Sequence, residues 1–478
     1  MPVIIIIADG VRPDTLGAAL GRTNDRPPVA PAIARTSEEG AFFTVTSCFP
    51  TVTGPAYAPF LMGRYPGAIG LPGLRWFDRS RATCTFPTFA RSYVGHQMRR
   101  VDRDLDPTAP TLFELASRSV GALSVISRGL APRSRVTTST ARVARTHFSG
   151  NVRGWLDIDR DVVEEVVRRV RDERPDFVFA ALTGIDKSSH AQGHDAPIVG
   201  DAIGIVDELV ARLRVDAEEG GYWDDTHIWI TSDHGHSPVR SHDDLAGGIA
   251  DFGLRVMSHP WIFTLAPQAA VMVSGNAMAH VYVELEQRRR PFWNALRPRW
   301  EPLAAALLER PSVDLLLLPN ESQGCEVRSR QRGTAVVTAE GGRFGYRRLT
   351  GDPLGLGADL RRVDARTAYD ATLDTDYPDC VVQIATIARA PRAGDMILSA
   401  ARDWDFRARY EPIPHVSSHG ALHREHMLVP LVVNRPPASV PRRTVDVMPS
   451  ALAALGIDTP AGLDGISFME RARRTIAA

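Results

Sequence analysis

The chain has 478 residues, more than one ordinary hydrophobic core holds, so either a large domain carrying an insertion or two domains is expected. Hydrophobic residues make up 44% and charged residues 23%, the composition of an ordinary globular protein. Lys plus Arg number 56 and so do Asp plus Glu, so no whole-protein field draws in a nucleic-acid polymer or an anionic membrane, and attraction for a phosphate must come from a local site.

In chain order, the first apolar run is Val3 to Ala8. It is too short for a secretory segment, follows no basic start and precedes no small-residue cleavage site. Four isoleucines ending in Ala8-Asp9-Gly10 read instead as a buried parallel strand whose carboxyl end delivers Asp9. Leu112–Ser117 begins a helix and Gly121–Ile126 reads as a strand. Asp159–Arg174 has helical spacing and stops before Pro175; Asp176–Leu182 is a continuous apolar strand. Pro197–Leu213 is a long helix and Thr226–Ser232 another strand. This alternation predicts a mostly parallel sheet covered on both faces, a three-layer α/β/α sandwich.

From 252 to 404 the pattern changes. Short β-like runs at Val271–Ser274, Ala279–Glu284, Thr334–Ala339 and Asp395–Leu398 sit among Gly, Pro and Arg, with one helix near Phe292–Leu308. This stretch reads as a smaller α+β insertion capping a core made of residues 1–251 and 405–478. The α/β character returns with a strand at Met427–Val433 and a helix at Val445–Leu455. No segment approaches the ~20 apolar residues that span a bilayer. Cys48, Cys84, Cys325 and Cys380 are scattered without a CxxC pair, which fits free thiols in a reducing compartment, so a cytoplasmic location is expected.

Four segments carry acidic residues and histidines next to strands. They are Asp9; Gly184-Ile185-Asp186-Lys187-Ser188-Ser189-His190; Ser232-Asp233-His234-Gly235-His236; and Ser417-Ser418-His419-Gly420, just before the last strand. Ligands of open parallel sheets bind at the carboxyl ends of strands, so three of these should converge there, with the fourth reaching in from the cap junction. Three Asp and three His make two mixed oxygen and imidazole sites, which suit Zn²⁺ or a similar borderline divalent ion. Two such ions about 4 Å apart clamp an in-line displacement at phosphorus. Singly, each segment also fits a plain role: Asp9 as a helix N-cap, Asp186 and His190 as a surface pair, the stretch His415, His419, His423, His426 as a solvated loop.

Between the first two segments lies Phe49-Pro50-Thr51-Val52-Thr53-Gly54-Pro55, followed by an apolar helical stretch. A hydroxyl before Gly-Pro points to an exposed Thr53 at a helix N-terminus, where backbone N–H groups favour a phosphoryl group. Taken alone, Thr53 reads as merely an N-cap.

With this segment in place, the sequence resembles the type I phosphodiesterase/nucleotide pyrophosphatase family of the alkaline phosphatase superfamily. The resemblance runs nearly end to end. It includes the Ala-Asp-Gly start, the PT-x-T-x-P…L-x-G-x-Y-P block, D-x-x-x-H, SDHGH, SHG before a VPL strand, and the tail RRTVDVMPSALAALGIDTPAGLDGISF. It implies an alkaline phosphatase-like core and a phosphodiesterase-type hydrolase acting on a small-molecule phosphate ester. It also implies one divalent ion on Asp186, His190 and His419, and another on Asp9, Asp233, His234 and the Thr53 oxygen. The ions would be zinc, with manganese the other candidate. Thr53 would attack phosphorus to give a phosphothreonine that water then hydrolyses.

One departure stands out. Nucleotide pyrophosphatase-like members place an Asn 21 residues beyond the nucleophile, where it donates to a phosphate oxygen; here that position is Leu74, followed by Arg75. Arg75 either replaces the lost donor or is a surface arginine stacked on Trp76 or paired with Asp78. Cys48-Phe49-Pro50-Thr51-Val52 lacks the Arg of the formylglycine sulfatases, which removes that branch. The remaining alternatives are a phosphomonoesterase, a phosphonoacetate-type hydrolase, and a non-catalytic metal-binding relative.

Overall fold

In the computed structural model, which describes residues 2–22, 27–81, 89–259, 263–321, 324–407, 413 and 415–472, the strand Val3–Ala8 is buried along its whole length. Its side chains divide by alternation. Val3, Ile5 and Ile7 join one apolar cluster with Phe60, Leu61, Phe113 and Leu452. Ile4, Ile6 and Ala8 join another with Val163, Val166, Ile203 and Leu209. Successive strand residues face opposite ways, so a strand apolar at every position needs cover on both sides. Burying each such isoleucine contributes roughly 1.5–3 kcal/mol.

Helices Pro31–Glu39, Val152–Glu173 and Pro197–Glu219 cover one face, and Ala58–Met62, Leu112–Leu115 and Val447–Ala454 the other. The core is thus the expected α/β/α sandwich. Its seven-stranded sheet runs in the order Ala41–Thr46, Leu428–Val433, His227–Thr231, Val3–Ala8, Phe177–Leu182, Ser119–Ala122, Arg135–Val136. Val3–Ala8 pairs in parallel with both neighbours, and Ser119–Ala122 does the same. Leu428–Val433 is antiparallel to the strands on either side of it. That reversal matters. A reversed strand begins at the edge where parallel strands end, so the segment before Leu428 lies beside the segments that follow Ala8, Leu182 and Thr231.

A second sheet of nine strands, from Val256–Ser258 to Met396–Ala400, is mostly antiparallel. Strands Val313–Pro319, Gly324–Ser329 and Arg343–Gly351 were not legible as separate runs. Arg343–Gly351 is largely exposed, so its Arg and Gly residues obscure the alternation that a half-buried strand shows. Core boundaries also shift. The strand expected at Gly121–Ile126 is Ser119–Ala122, ended by Leu123 at a φ of 48°. The helix expected from Asp159 starts at Val152, because the Asn151 side chain accepts from Gly154 N. Among the described residues no helix is long and apolar enough to cross a membrane.

Candidate metal and phosphoryl-transfer site

Each acidic segment leaves the sheet edge with its backbone pinned. Asp9 follows Val3–Ala8, and its N–H donates to Leu182 O at 3.1 Å. Asp186 and His190 lie on the helix Gly184–Gln192, directly after Phe177–Leu182. The Asp159 carboxylate anchors the start of that helix, accepting from Thr183 N at 3.1 Å and Gly184 N at 2.6 Å. Asp233 and His234 follow His227–Thr231, and Ser47 Oγ donates to the Asp233 carbonyl. A small sheet of Asp403–Asp405, Ser237–His242 and Ser417–Ser418 ties the third segment to the fourth and sets down His419.

The four segments come together. Asp9, Asp233 and His234 offer donor atoms within 4.8 Å of one another, and so do Asp186, His234, His236 and His419. This second group of donors takes in His234 and His236 and leaves out His190. His234 and His419 stack at 3.7 Å and 9°, joining the two groups. His190 Nε2 lies 3.2 Å from Asp186 Oδ1, and His419 Nε2 lies 3.5 Å from the same oxygen. All of these side chains are buried, and His423 and His426 are buried too, so this histidine stretch is not a solvated loop.

Ring tautomers follow from the outer hydrogen bonds. His190 Nδ1 is 2.8 Å from Ser417 O, His419 Nδ1 is 2.9 Å from Thr51 O, and His234 Nδ1 is 3.1 Å from Gly235 O. A carbonyl oxygen only accepts, so each Nδ1 carries the proton and each Nε2 turns a lone pair inward. Those lone pairs face carboxylates. Asp233 Oδ2 is buried and receives no hydrogen bond among the described residues. Bare imidazole nitrogens converging on buried carboxylates, one of whose oxygens receives no hydrogen bond, fit divalent cations, with outer carbonyls fixing the rings as metal-binding histidines require.

The electrostatics agree. Burial, reinforced by the carboxylates of Asp233 and Asp186, holds the Asp9 carboxyl well above its ordinary value, and burial also lifts Asp233. Burial acts on Asp186 in the same sense, but the Lys187 ammonium beside it favours the charged form and holds that carboxyl well below the usual range. Burial drives His419 down, so its ring is neutral and available as a ligand.

Thr53 and Thr51 part company here. Thr53 Oγ1 is 3.2 Å from Asp9 Oδ1, to which it donates, and 3.0 Å from His234 Nε2. Thr51 is fully buried; its hydroxyl donates to Ala421 O at 2.9 Å and accepts from Gly420 N at 3.1 Å. The helix expected after Thr53 is broken into a 3₁₀ turn, Pro55–Tyr57, and a five-residue helix, Ala58–Met62. Pro55 and Pro59 supply no N–H groups, so little helix dipole is directed at Thr53.

Leu74 Cδ2 lies 3.6 Å from where a Cβ on Gly54 would stand, so an apolar side chain occupies the wall beside the segment that carries Thr53. The Arg75 guanidinium donates to Val273 O at 3.4 Å, on the second sheet. Arg392 and Arg91 lie over the Trp76 ring, at 4.6 and 6.0 Å. Two residues beside the site were missed by sequence reasoning. Lys187 Nζ is 2.7 Å from Asp186 Oδ2, and His236 Nε2 is 2.9 Å from Asp186 Oδ1. Both stand inside the quoted motifs, but neither belongs to the ligand pattern that the resemblance implies. Cys48, Cys325 and Cys380 are buried free thiols; Cys84 lies outside the described residues.

The fold is shared with solved structures. A phosphonoacetate hydrolase from Sinorhizobium meliloti 1021, in complex with phosphonoacetate, is 16% identical, with 95% of this chain and 96% of that one covered and a TM-score of 0.58. The human ectonucleotide pyrophosphatase/phosphodiesterase 5 is 14% identical, with 97% of each chain covered and a TM-score of 0.59. An inactive form of the murine enzyme, in complex with AMP, is 14% identical over 97% of each chain at a TM-score of 0.55. At these identities the likeness is one of fold, and it is the alkaline phosphatase-like fold. No curated protein matches the sequence. The family description Type I phosphodiesterase / nucleotide pyrophosphatase matches residues 3–319 of the 478, and the chain belongs to that family of phosphoric ester hydrolases.

Proposed function

We propose that the protein hydrolyses small-molecule phosphodiesters through a phosphothreonine on Thr53, at a site for two divalent ions, zinc before manganese. The observation that carries this reading is the position of Thr53 Oγ1, within 3.2 Å of Asp9 Oδ1 and 3.0 Å of His234 Nε2 at the head of the Asp/His cluster. One ion belongs to Asp9, Asp233, His234 and Thr53, the other to Asp186, His190 and His419. When bound, such ions lower the pKa of the attacking hydroxyl and balance charge on the attacking and leaving oxygens.

The chain's own residues then position and exclude. Asp9 Oδ1 orients the Thr53 hydroxyl, and the buried Tyr57 ring closes the site behind Asp9. The Thr53 Oγ1 proton passes to water and Oγ1 forms a bond to phosphorus as the ester bond to the leaving oxygen breaks, that oxygen departing as an alkoxide which takes up a proton from water. Water then cleaves the phosphothreonine and restores the hydroxyl. Buried free thiols support a reducing, cytoplasmic setting.

A second reading has its own observation. Lys187 places a cation beside Asp186, which supports a more highly charged phosphomonoester or a phosphonate such as the one the S. meliloti enzyme binds. Acid quenching during turnover of an aryl phosphodiester, followed by peptide mapping, tests the shared step. Phosphate on Thr53 is expected. Full activity in Thr53→Ala, or phosphate on Thr51, overturns it.

A further inference from the structure

His236 is the second histidine of Ser232-Asp233-His234-Gly235-His236, and its ring is fully buried. Its Nδ1 lies 3.1 Å from Ser417 Oγ, and that hydroxyl donates to Ser237 O at 2.9 Å. A serine hydroxyl has one proton, so toward His236 the oxygen can only accept, and Nδ1 must carry the ring proton. The reverse arrangement would leave two oxygen lone pairs facing each other across 2.9 Å. It follows that His236 Nε2 is bare, and it points at Asp186 Oδ1 from 2.9 Å. His190 and His419 turn their own bare Nε2 atoms on the same oxygen from 3.2 and 3.5 Å. None of the three rings can donate to Asp186 Oδ1. Four buried acceptors drawn this close need a cation among them.

The separations from Asp186 Oδ1 suit one, and Asp186, His236 and His419 also belong to one group of donors that lie within 4.8 Å of one another. Neighbouring donors around a tetrahedral ion held at about 2.1 Å stand about 3.4 Å apart, and closer when the geometry expands toward five-coordinate. The backbone is also shaped around this ring. Gly10 takes a φ of +80°, and a Cβ there would stand 2.9 Å from His236 Cδ2 and 3.2 Å from the Asp186 Cα, so a side chain would push His236 off Asp186.

We infer that His236 is a further protein ligand of the ion held by Asp186, His190 and His419, which makes that site three imidazoles and one carboxylate. This rests on the two-ion reading above. It has a consequence for metal choice. Adding an imidazole to a site of this kind favours zinc or cobalt over manganese or magnesium, and it takes a coordination position that water or substrate oxygen would otherwise fill.

The test uses metal-free full-length protein, reloaded with Co²⁺, Zn²⁺ or Mn²⁺ and followed by visible absorption and calorimetry. The native protein should take up two ions. In His236→Gln one of them should bind about 10–100-fold more weakly, with a changed cobalt spectrum and a reduced preference for zinc over manganese. X-ray absorption of the zinc-loaded native protein needs no variant, and it should find the imidazoles of His190, His234, His236 and His419 shared by two ions. Equal affinities and spectra in His236→Gln, or only three imidazoles in the native protein, overturn the His236 assignment and leave the two-ion reading standing. Failure of the native protein to hold two ions overturns both.

Discussion

Arg443 grips Asp379 through two parallel hydrogen bonds, Nε to Oδ2 at 2.8 Å and Nη2 to Oδ1 at 2.7 Å, with both residues buried. The pair joins the segment leading into the helix Val447–Ala454 to the residue that starts the helix Cys380–Arg389, packed under the second sheet. Removing one partner strands the other charge in an apolar interior. Asp379→Ala should therefore destabilise the protein by about 3–5 kcal/mol, read as a lower midpoint in urea. Replacing both residues with apolar ones should cost less than the single change. A double variant as unstable as Asp379→Ala would mean that packing, not the stranded charge, sets the cost.

Metal content gives the next expectation. Asp233→Ala should lose the ion of the Asp9 group, and His419→Ala that of the Asp186 group, each leaving the other ion bound. Each change should lower kcat by about 10²–10³, the usual effect of deleting one electrostatic stabiliser of a transition state. In the native protein, chelation should lower the melting temperature, because ions that bind only the folded state stabilise it. The buried carboxylates then repel one another with only Lys187, beside Asp186, to compensate, as the raised Asp9 and Asp233 show. Elemental analysis finding less than one tight ion per chain would contradict the assignment.

The pH dependence has a named source in Asp159. Burial pushes this carboxyl up to about 7, against the Gly184 and Thr183 N–H groups that favour its ionised form. An unfolded Asp titrates near 3.9, so between these values the folded state holds the extra proton. The group's stability contribution is fully present below about pH 4 and is lost as pH rises through 7. Across that window the native protein should lose about 1.4 kcal/mol per pH unit relative to Asp159→Asn. Denaturation of both proteins in chelator from pH 5 to 8 measures the slope. Parallel curves would place the ionised form in the folded state throughout.

Much of this was legible because strand ends are local signals. Ile4 to Ile7 running into Asp9, and Phe177–Leu182 running into Asp186, put element type and chemistry in one stretch of chain. What the sequence could not carry was direction and contact. That Leu428–Val433 runs against its neighbours, and so delivers His419 to the same edge, is a property of the assembled sheet. Thr51 and Thr53 look alike in sequence; hydrogen bonds to Ala421 and Gly420, some 370 residues away, set them apart. His236 and Lys187 were in plain view, but only the packing on Gly10 and the reach to Asp186 mark them. In the second sheet, the exposed strand Arg343–Gly351, with its Arg and Gly residues, left too little alternation to read.

Substrate charge is the last expectation. A diester carries one negative charge, which two divalent ions balance without a further fixed cation, so diesters should turn over with the higher kcat/KM. Leu74, set beside Gly54, cannot supply the hydrogen bond that an Asn would, and Leu74→Asn should raise diester kcat/KM. Arg75 is held by Val273 O, so its share should be smaller than that of a full donor, and Arg75→Ala should cost about tenfold rather than the 10²–10³ of an oxyanion-hole deletion. Lys187 already neutralises Asp186 Oδ2. If it also meets substrate, its positive charge serves a dianion more than a monoanion, so Lys187→Ala should reduce monoester turnover more than diester turnover. Matched aryl diester and monoester substrates, measured in the native protein and these three variants, decide the matter. Faster monoester turnover in the native protein, lost in Lys187→Ala, would reverse the specificity and give Lys187 the role assigned to Arg75. An unchanged Arg75→Ala would remove Arg75 from the chemistry and leave it as a brace on the second sheet.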